Sequence, residues 1–560
     1  MFHPEIKGLN SVRQLIEEGK CKEALQIVLE LEQGKDLSLK EILSYKLVRA
    51  DLLLLLGNFL DAIEIAKEIF QEFQKLGDLL SAFDALHIQV YSYMIMANIL
   101  QCEDLIPQAE KLFKIIKATS SIDLRERESE FVRLKASIHH FKGEIQQSLE
   151  LNKRAYELAK DIGNKVLISV SLNNIADKFY HMKEYDKAIE YAKEALKANA
   201  RFGAALGTLI DINVSKGDIK EAKVYLNQLR GLSEKFDTKW IKTFYYDCKA
   251  EILKSSLRAR DRVKAEDIFK ELAMDNTLLA EPRIEAIINL CDLYLTELRI
   301  TSDPEIINEI QPYIQKLSNI AEKQHLYLYL AEAHLLQAKL SLLTLDLKKA
   351  KQFLTQAQRI AESYGLKRLA IKISYEHDEL IRQTKMWENL NTSEVSLSER
   401  LELTGLNEQM ENMVKKRMIE VPEISKEDPV MLLFLTEGGN LIFSKKFVED
   451  FSFEDDILGG FLTTINYIIG EVFSEGLDRA VFGPYTLLMM PLQPFLICYI
   501  FKGASYFASH KIKNFLDSIQ KDNLIWQSLQ NFFQKSRSIQ VNGIPLLESL
   551  ITEIFLEKKN

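Results

Sequence analysis

Ser171–Ala198 reads SLNNIADKFYHMKEYDKAIEYAKEALKA. Small or apolar residues stand at Ala176, Phe179, Ala188 and Ala195, on either side of a polar break at Lys183–Glu184. Ala176 lies twelve residues before Ala188 and Ala195 seven after it. Such offsets suit two antiparallel helices packed closely through small side chains, with a turn between them.

The pattern recurs outward in both directions. A glycine followed five positions later by a small residue appears as GKCKEA (Gly19 to Ala24), GNFLDA (Gly57 to Ala62), GEIQQS (Gly143 to Ser148) and GDIKEA (Gly217 to Ala222). KEYDKA ends on Ala188 with Lys183 in the glycine's place, and Ala109, Ala265 and Ala350 serve as anchors without it. Twelve residues before each anchor stand Val12, Ala50, Ala97, Ala136, Ala176, Ile210, Leu253 and Ala338. Between Ala265 and Ala350 there is room for one degenerate unit near PEIINEIQPYIQKL.

On these residues, roughly 8–385 resembles the tetratricopeptide repeat (TPR) family, whose small, aromatic, small, small positions match Ala176, Phe179, Ala188 and Ala195. Unit spacing near forty also suits HEAT-type repeats. The resemblance implies an α-solenoid of about nine helix pairs, whose first helices line a groove for a protein or peptide. Groove candidates are Arg133, Ser137 and His140 in the fourth unit, Asn173, Asp177 and Tyr180 in the fifth, and Asp211 in the sixth. The lysine–asparagine set with which some TPR domains clamp a terminal carboxylate is missing, so chaperone-tail binding is not expected.

Residues 386–428 read as a charged, helical linker, in which Leu406, Met410 and Met413 keep helical spacing. From 429 to 560 the chain carries less charge. VMLLFLTEGGNLIFSKKF predicts a hairpin about Glu437–Asn440, and FEDDILGGFLTTINYIIGEVF a helix. Ala480–Phe501 holds 22 residues without a charge, the length of a membrane span. Pro484, Pro491 and Pro494 cut it into short pieces, which predict three buried strands joined by proline turns. Three helices close the chain. Strand, strand, helix, three strands and helices is an order similar to the longin and roadblock folds. That resemblance implies a small α+β docking domain and partners such as small Ras-like GTPases.

No phosphate loop, dinucleotide fingerprint, zinc-protease motif or nucleophile elbow occurs, so no enzyme, metal or cofactor is expected. His139 and His140 are adjacent and point about 100° apart on a helix. The formal net charge of −9 argues against nucleic acid, and five scattered cysteines suit a reducing cytoplasm. The expected function is a non-enzymatic intracellular scaffold. A small-ligand sensor with a profilin-like C-terminal domain and a membrane-associated adaptor, with peripheral membrane contact, are the alternatives.

Overall fold

A computed structural model describes residues 9–17, 20–34, 37–142, 144–199, 203–235, 239–392, 395–414, 420–436, 441–448, 479–534 and 545–556. Helices run in antiparallel pairs. They are α1 Leu9–Glu17 with α2 Cys21–Glu32, α3 Leu39–Leu55 with α4 Phe59–Lys75, and α5 Leu79–Ile95 with α6 Ile99–Thr119. Next come α7 Arg125–Phe141 with α8 Ile145–Ile162, α9 Lys165–His181 with α10 Tyr185–Ala198, and α11 Gly203–Lys216 with α12 Ile219–Lys235. Then follow α13 Lys239–Lys254 with α14 Ala259–Met274, α15 Ala280–Thr301 with α16 Glu305–Lys323, and α17 Tyr327–Leu343 with α18 Leu347–Ser363. These nine pairs include the degenerate unit, which is α15–α16. Four more helices follow: α19 Lys367–Arg382, α20 Thr384–Thr392, α21 Leu397–Thr404 and α22 Leu406–Val414.

Two compact units divide the chain. One takes the described residues of Met1–Ala333, Ile360–Lys367 and Gly405–Ile419, the other those of His334–Arg359, Arg368–Thr404 and Glu420–Asn560.

The repeat geometry explains its own offsets. The anchor's side chain lies against the backbone carbonyl twelve residues earlier: Ser148 Oγ donates to Ala136 O at 2.7 Å. The alanine seven after the anchor offers its carbonyl to a serine of the first helix. Ser129 Oγ donates to Ala155 O at 2.9 Å and Ser169 Oγ to Ala195 O at 3.0 Å. Bulk at these places would hold the backbones apart. Ala188 is fully buried, so Ala188→Leu is expected to cost roughly 1–3 kcal/mol, read as a lowered denaturation midpoint. An unchanged midpoint would refute the close contact.

The residue five before the anchor ends the first helix in the left-handed conformation, as at Gly57 (φ 80°) and Gly217 (φ 79°). The third unit corrects the sequence expectation here. Its left-handed residue is Ala97 (φ 55°), which makes Cys102 the anchor. Cys102 Sγ lies 3.6 Å from Val90 O, twelve residues earlier. Ala109 is therefore the position seven after the anchor, and Ala97 is a turn residue rather than a helix contact.

The C-terminal unit holds a five-stranded antiparallel sheet in the order β2-β1-β5-β4-β3. Its strands are β1 Asp428–Thr436, β2 Leu441–Lys446, β3 Arg479–Phe482, β4 Tyr485–Leu492 and β5 Phe495–Lys502. Helices α23 Ser505–Lys521, α24 Asn523–Gln534 and α25 Pro545–Phe555 follow. The charge-free run is thus three strands. Leu432, Phe434, Ile497, Tyr499 and Phe501 pack on one face with Ile512, Phe515, Leu529 and Phe555 of the helices. Leu433, Leu435, Leu496, Cys498 and Ile500 are buried on the other. A strand buried on both faces loses its alternation, which is why the run imitates a membrane span.

One expected turn is not there. Pro484 and Pro494 lie in turns, but β4 continues through Pro491, which pairs with Leu496. Among the described residues β3 pairs with β4 only as far as Leu488, so among them Pro491 has no ladder partner on that edge of β4. A residue without an N–H is tolerated at such an edge. The expected turn at Glu437–Asn440 and the helix over FEDDILGGFLTTINYIIGEVF lie outside the described residues. Among those described, no helix is long and apolar enough to cross a membrane.

Candidate functional site

The fifth unit supplies the centre of the site. Asn164 starts α9, its Oδ1 accepting from the N–H groups of Val166 (3.0 Å) and Leu167 (3.2 Å). From that cap, Asn173, Asp177 and His181 stand four residues apart and share one face of α9. That face lines a cavity of about 660 Å³ within the larger unit. The remaining walls are first helices of later pairs: Asp211 on α11, Asp247 and Glu251 on α13, Glu285 and Asp292 on α15. On one side α22 completes it with Asn407, Glu411 and Met413. The stripe Leu406, Met410 and Met413, read as a connecting helix, is buried.

Of the seven groove candidates, Asn173, Asp177, Tyr180 and Asp211 line this one cavity. His140 stands beside it, its ring centroid 5.1 Å from that of His181. Arg133 and Ser137 are not brought in; Ser137 Oγ instead donates to the Arg133 carbonyl at 3.3 Å, a bond within α7.

Neighbouring units are stitched by a regular pairing that the sequence reading missed. The residue eight before one anchor meets the residue seven before the next. Tyr180 shares a hydrogen bond with Ser215 at 2.9 Å, and the ring of His140 lies tilted against that of His181 in the same relation. Adding the position after Tyr180 to the groove set would have found His181.

The cavity is acidic. Asp177, Asp211, Asp247, Glu251, Glu285, Asp292 and Glu411 line it, against Lys254 and Arg299, and Lys254 already pairs with Asp292 at 2.8 Å. The potential shows in its neighbours. Burial, reinforced by Asp211, Asp247, Glu251 and Glu285, pushes the Cys248 thiol well above its usual range. Burial and then Asp211 push up the Tyr180 phenol. At the other end burial, with Lys178 adding to it, lowers His140 to about 3. For Asp177 burial favours the neutral acid, but Lys178 and His181 outweigh it and hold the carboxyl well below the carboxylate range. Lys178 Nζ lies 2.6 Å from Asp177 Oδ2, and His181 Nε2 lies 3.3 Å from Oδ1.

Helix pairs stacked so that their first helices wall a groove form a helical repeat array. Residues 131–200, which hold the centre of the site, match the tetratricopeptide repeat family model. No curated protein sequence matches the chain. Among solved structures, a Rap protein complexed with Competence and Sporulation Factor is 16% identical, covering 66% of this chain and 99% of its own, with a TM-score of 0.38. Aspartyl phosphate phosphatase F from Bacillus subtilis is 16% identical over 57% of this chain and 85% of its own, with a TM-score of 0.39. The TPR2AB domain of yeast Sti1 in its HSP90 complex is 14% identical over 42% and 95%, with a TM-score of 0.19.

Proposed function

We propose that the chain is a non-enzymatic, cytoplasmic interaction scaffold whose groove receives a basic peptide segment of a partner protein. Asn173, Asp177, Tyr180 and Asp211 are its first contacts, and α22 forms one wall. The observation that carries this is the excess of carboxylates around a cavity of about 660 Å³ lined by consecutive first helices. Seven acids that close together favour a lysine- or arginine-rich ligand and speed its encounter. The C-terminal unit is, in this reading, a longin-like module that docks a second partner, with small Ras-like GTPases the family implication. Two strands, then three strands and three helices support it.

Fluorescence anisotropy with labelled peptides tests the groove. A lysine-rich peptide is expected to bind the whole chain, more weakly as salt rises. Asp211→Lys with Asp247→Lys should weaken it roughly tenfold or more, about 1.4 kcal/mol. Equal binding of a glutamate-rich peptide, or no effect of the reversal, would overturn the reading.

A further inference from the structure

His140 and His181 come from successive units, 41 positions apart, and Asp177 sits one helical turn before His181. One nitrogen from each ring and one Asp177 oxygen all lie within 4.8 Å of one another. We propose that these three residues bind a single divalent transition-metal ion at the groove wall, with a coordination position left open toward the cavity.

The polar accounting around the cluster is incomplete without a ligand. Nδ1 of His140, Nδ1 of His181 and the Asn173 side-chain oxygen are all buried with no hydrogen-bond partner. Buried polar atoms in folded proteins are normally satisfied, so three orphans on adjoining residues call for an occupant. His139, by contrast, pairs with Glu144 and stands outside the cluster.

The donor set chooses the ion. Two imidazoles and a carboxylate without a thiolate suit Zn²⁺, Co²⁺ or Ni²⁺ rather than Ca²⁺ or Mg²⁺, which prefer oxygen. Three protein ligands with an open fourth place are the pattern of sites that accept an exogenous ligand. Metal–ligand bonds near 2.0–2.2 Å put tetrahedral donors about 3.3 Å apart. The donors, already within 4.8 Å of one another on the touching helices α7 and α9, would close by about 1.5 Å at most on binding. Lys178 acts in both directions. Its ammonium holds Asp177 Oδ2 at 2.6 Å, so that Oδ1, 3.3 Å from His181 Nε2, is the oxygen on the cluster's side, while its charge opposes the ion. Binding is accordingly expected to be weaker than in a structural zinc site. The open position faces the same cavity as Asn173 and His181, where a peptide's histidine or carboxylate would complete the shell.

The test uses the whole chain, stripped with a chelator and titrated with Co²⁺. One equivalent should bind with visible d–d absorption of a low-coordinate nitrogen–oxygen site, and Zn²⁺ should bleach it. His140→Gln and His181→Gln should each weaken Co²⁺ roughly tenfold or more. His139→Gln should leave it unchanged. Circular dichroism confirms that each variant is folded, and the wild-type titration stands by itself if a variant is not. Absence of the d–d band in the wild type, or a band indifferent to both cluster substitutions, overturns the site. Peptide binding that persists in metal-free protein leaves the acidic-groove reading standing whatever the Co²⁺ result.

Discussion

Asp378→Ala is expected to destabilise the C-terminal unit by about 3–5 kcal/mol, because it strands a buried guanidinium. Arg479 opens β3 with its side chain 1% exposed. Nη1 donates to Asp378 Oδ1 at 3.0 Å and Nη2 to Gln358 Oε1 at 2.6 Å. Asp378 Oδ2 also accepts from the backbone N–H of Ser505, the first residue of α23, at 3.0 Å. One carboxylate therefore neutralises a strand's arginine and satisfies a buried first-turn amide that has no acceptor within its own helix. Its removal takes the neutralising carboxylate from Arg479 and the acceptor from the Ser505 N–H, whereas replacing both charges by apolar groups is often tolerated. Urea unfolding, with hydrogen exchange to locate the loss, should show the full cost in Asp378→Ala and most of it recovered in Asp378→Leu with Arg479→Met. A loss below about 1 kcal/mol, typical of an exposed pair, would refute the buried bridge.

Leu488→Asp should be comparably severe, several kcal/mol. Leu488 is fully buried in the cluster that β4 and β5 form with α23–α25. Its neighbours there include Phe495, Tyr499 and Phe515, and across the ladder it faces Arg479 of β3, whose guanidinium is already engaged by Asp378. Burial raises the introduced carboxyl's pKa, so the defect should be full above that raised value and ease as pH falls from it toward about 4, the value in the unfolded chain. Hydrogen exchange should rise across β1, β4 and β5 while α3–α16 keep their protection. Undiminished protection in the strands would mean that Leu488 is not part of a packed core.

The repeats were legible because their chemistry is local. A small residue must stand wherever one helix backbone approaches another, and the left-handed turn residue lies five positions before it. Where glycine holds that turn, as at Gly57 and Gly217, the unit is found at once. Where Ala97 or Leu345 (φ 60°) takes the same conformation, nothing in the letters marks it, and the third unit was read seven residues out of register. The strands were legible from length and proline punctuation, apart from Pro491, whose tolerance depends on an edge that only the sheet reveals. Nothing in the sequence around Arg479 marks it, because its partner lies 101 residues away. His181 was hidden for a like reason, since its significance comes from His140 in the preceding unit. Groove residues that act through their own helix were accessible to periodicity, and those that act through the next unit were not.

The span between Asp378 and Arg479 also sets an order of events during synthesis. At roughly 5–20 residues per second the acid emerges some 5–20 s before the base that neutralises it. During that interval α18 and α19 present Gln358, Ser374 and Asp378 as an unfilled polar notch. Arg479 fills that notch only after β3 has been made, so this polar contact forms late in synthesis. An expressed C-terminal fragment should accordingly begin near residue 334, where it keeps the notch, and not near 425, where Arg479 would lose Gln358, Ser374 and Asp378.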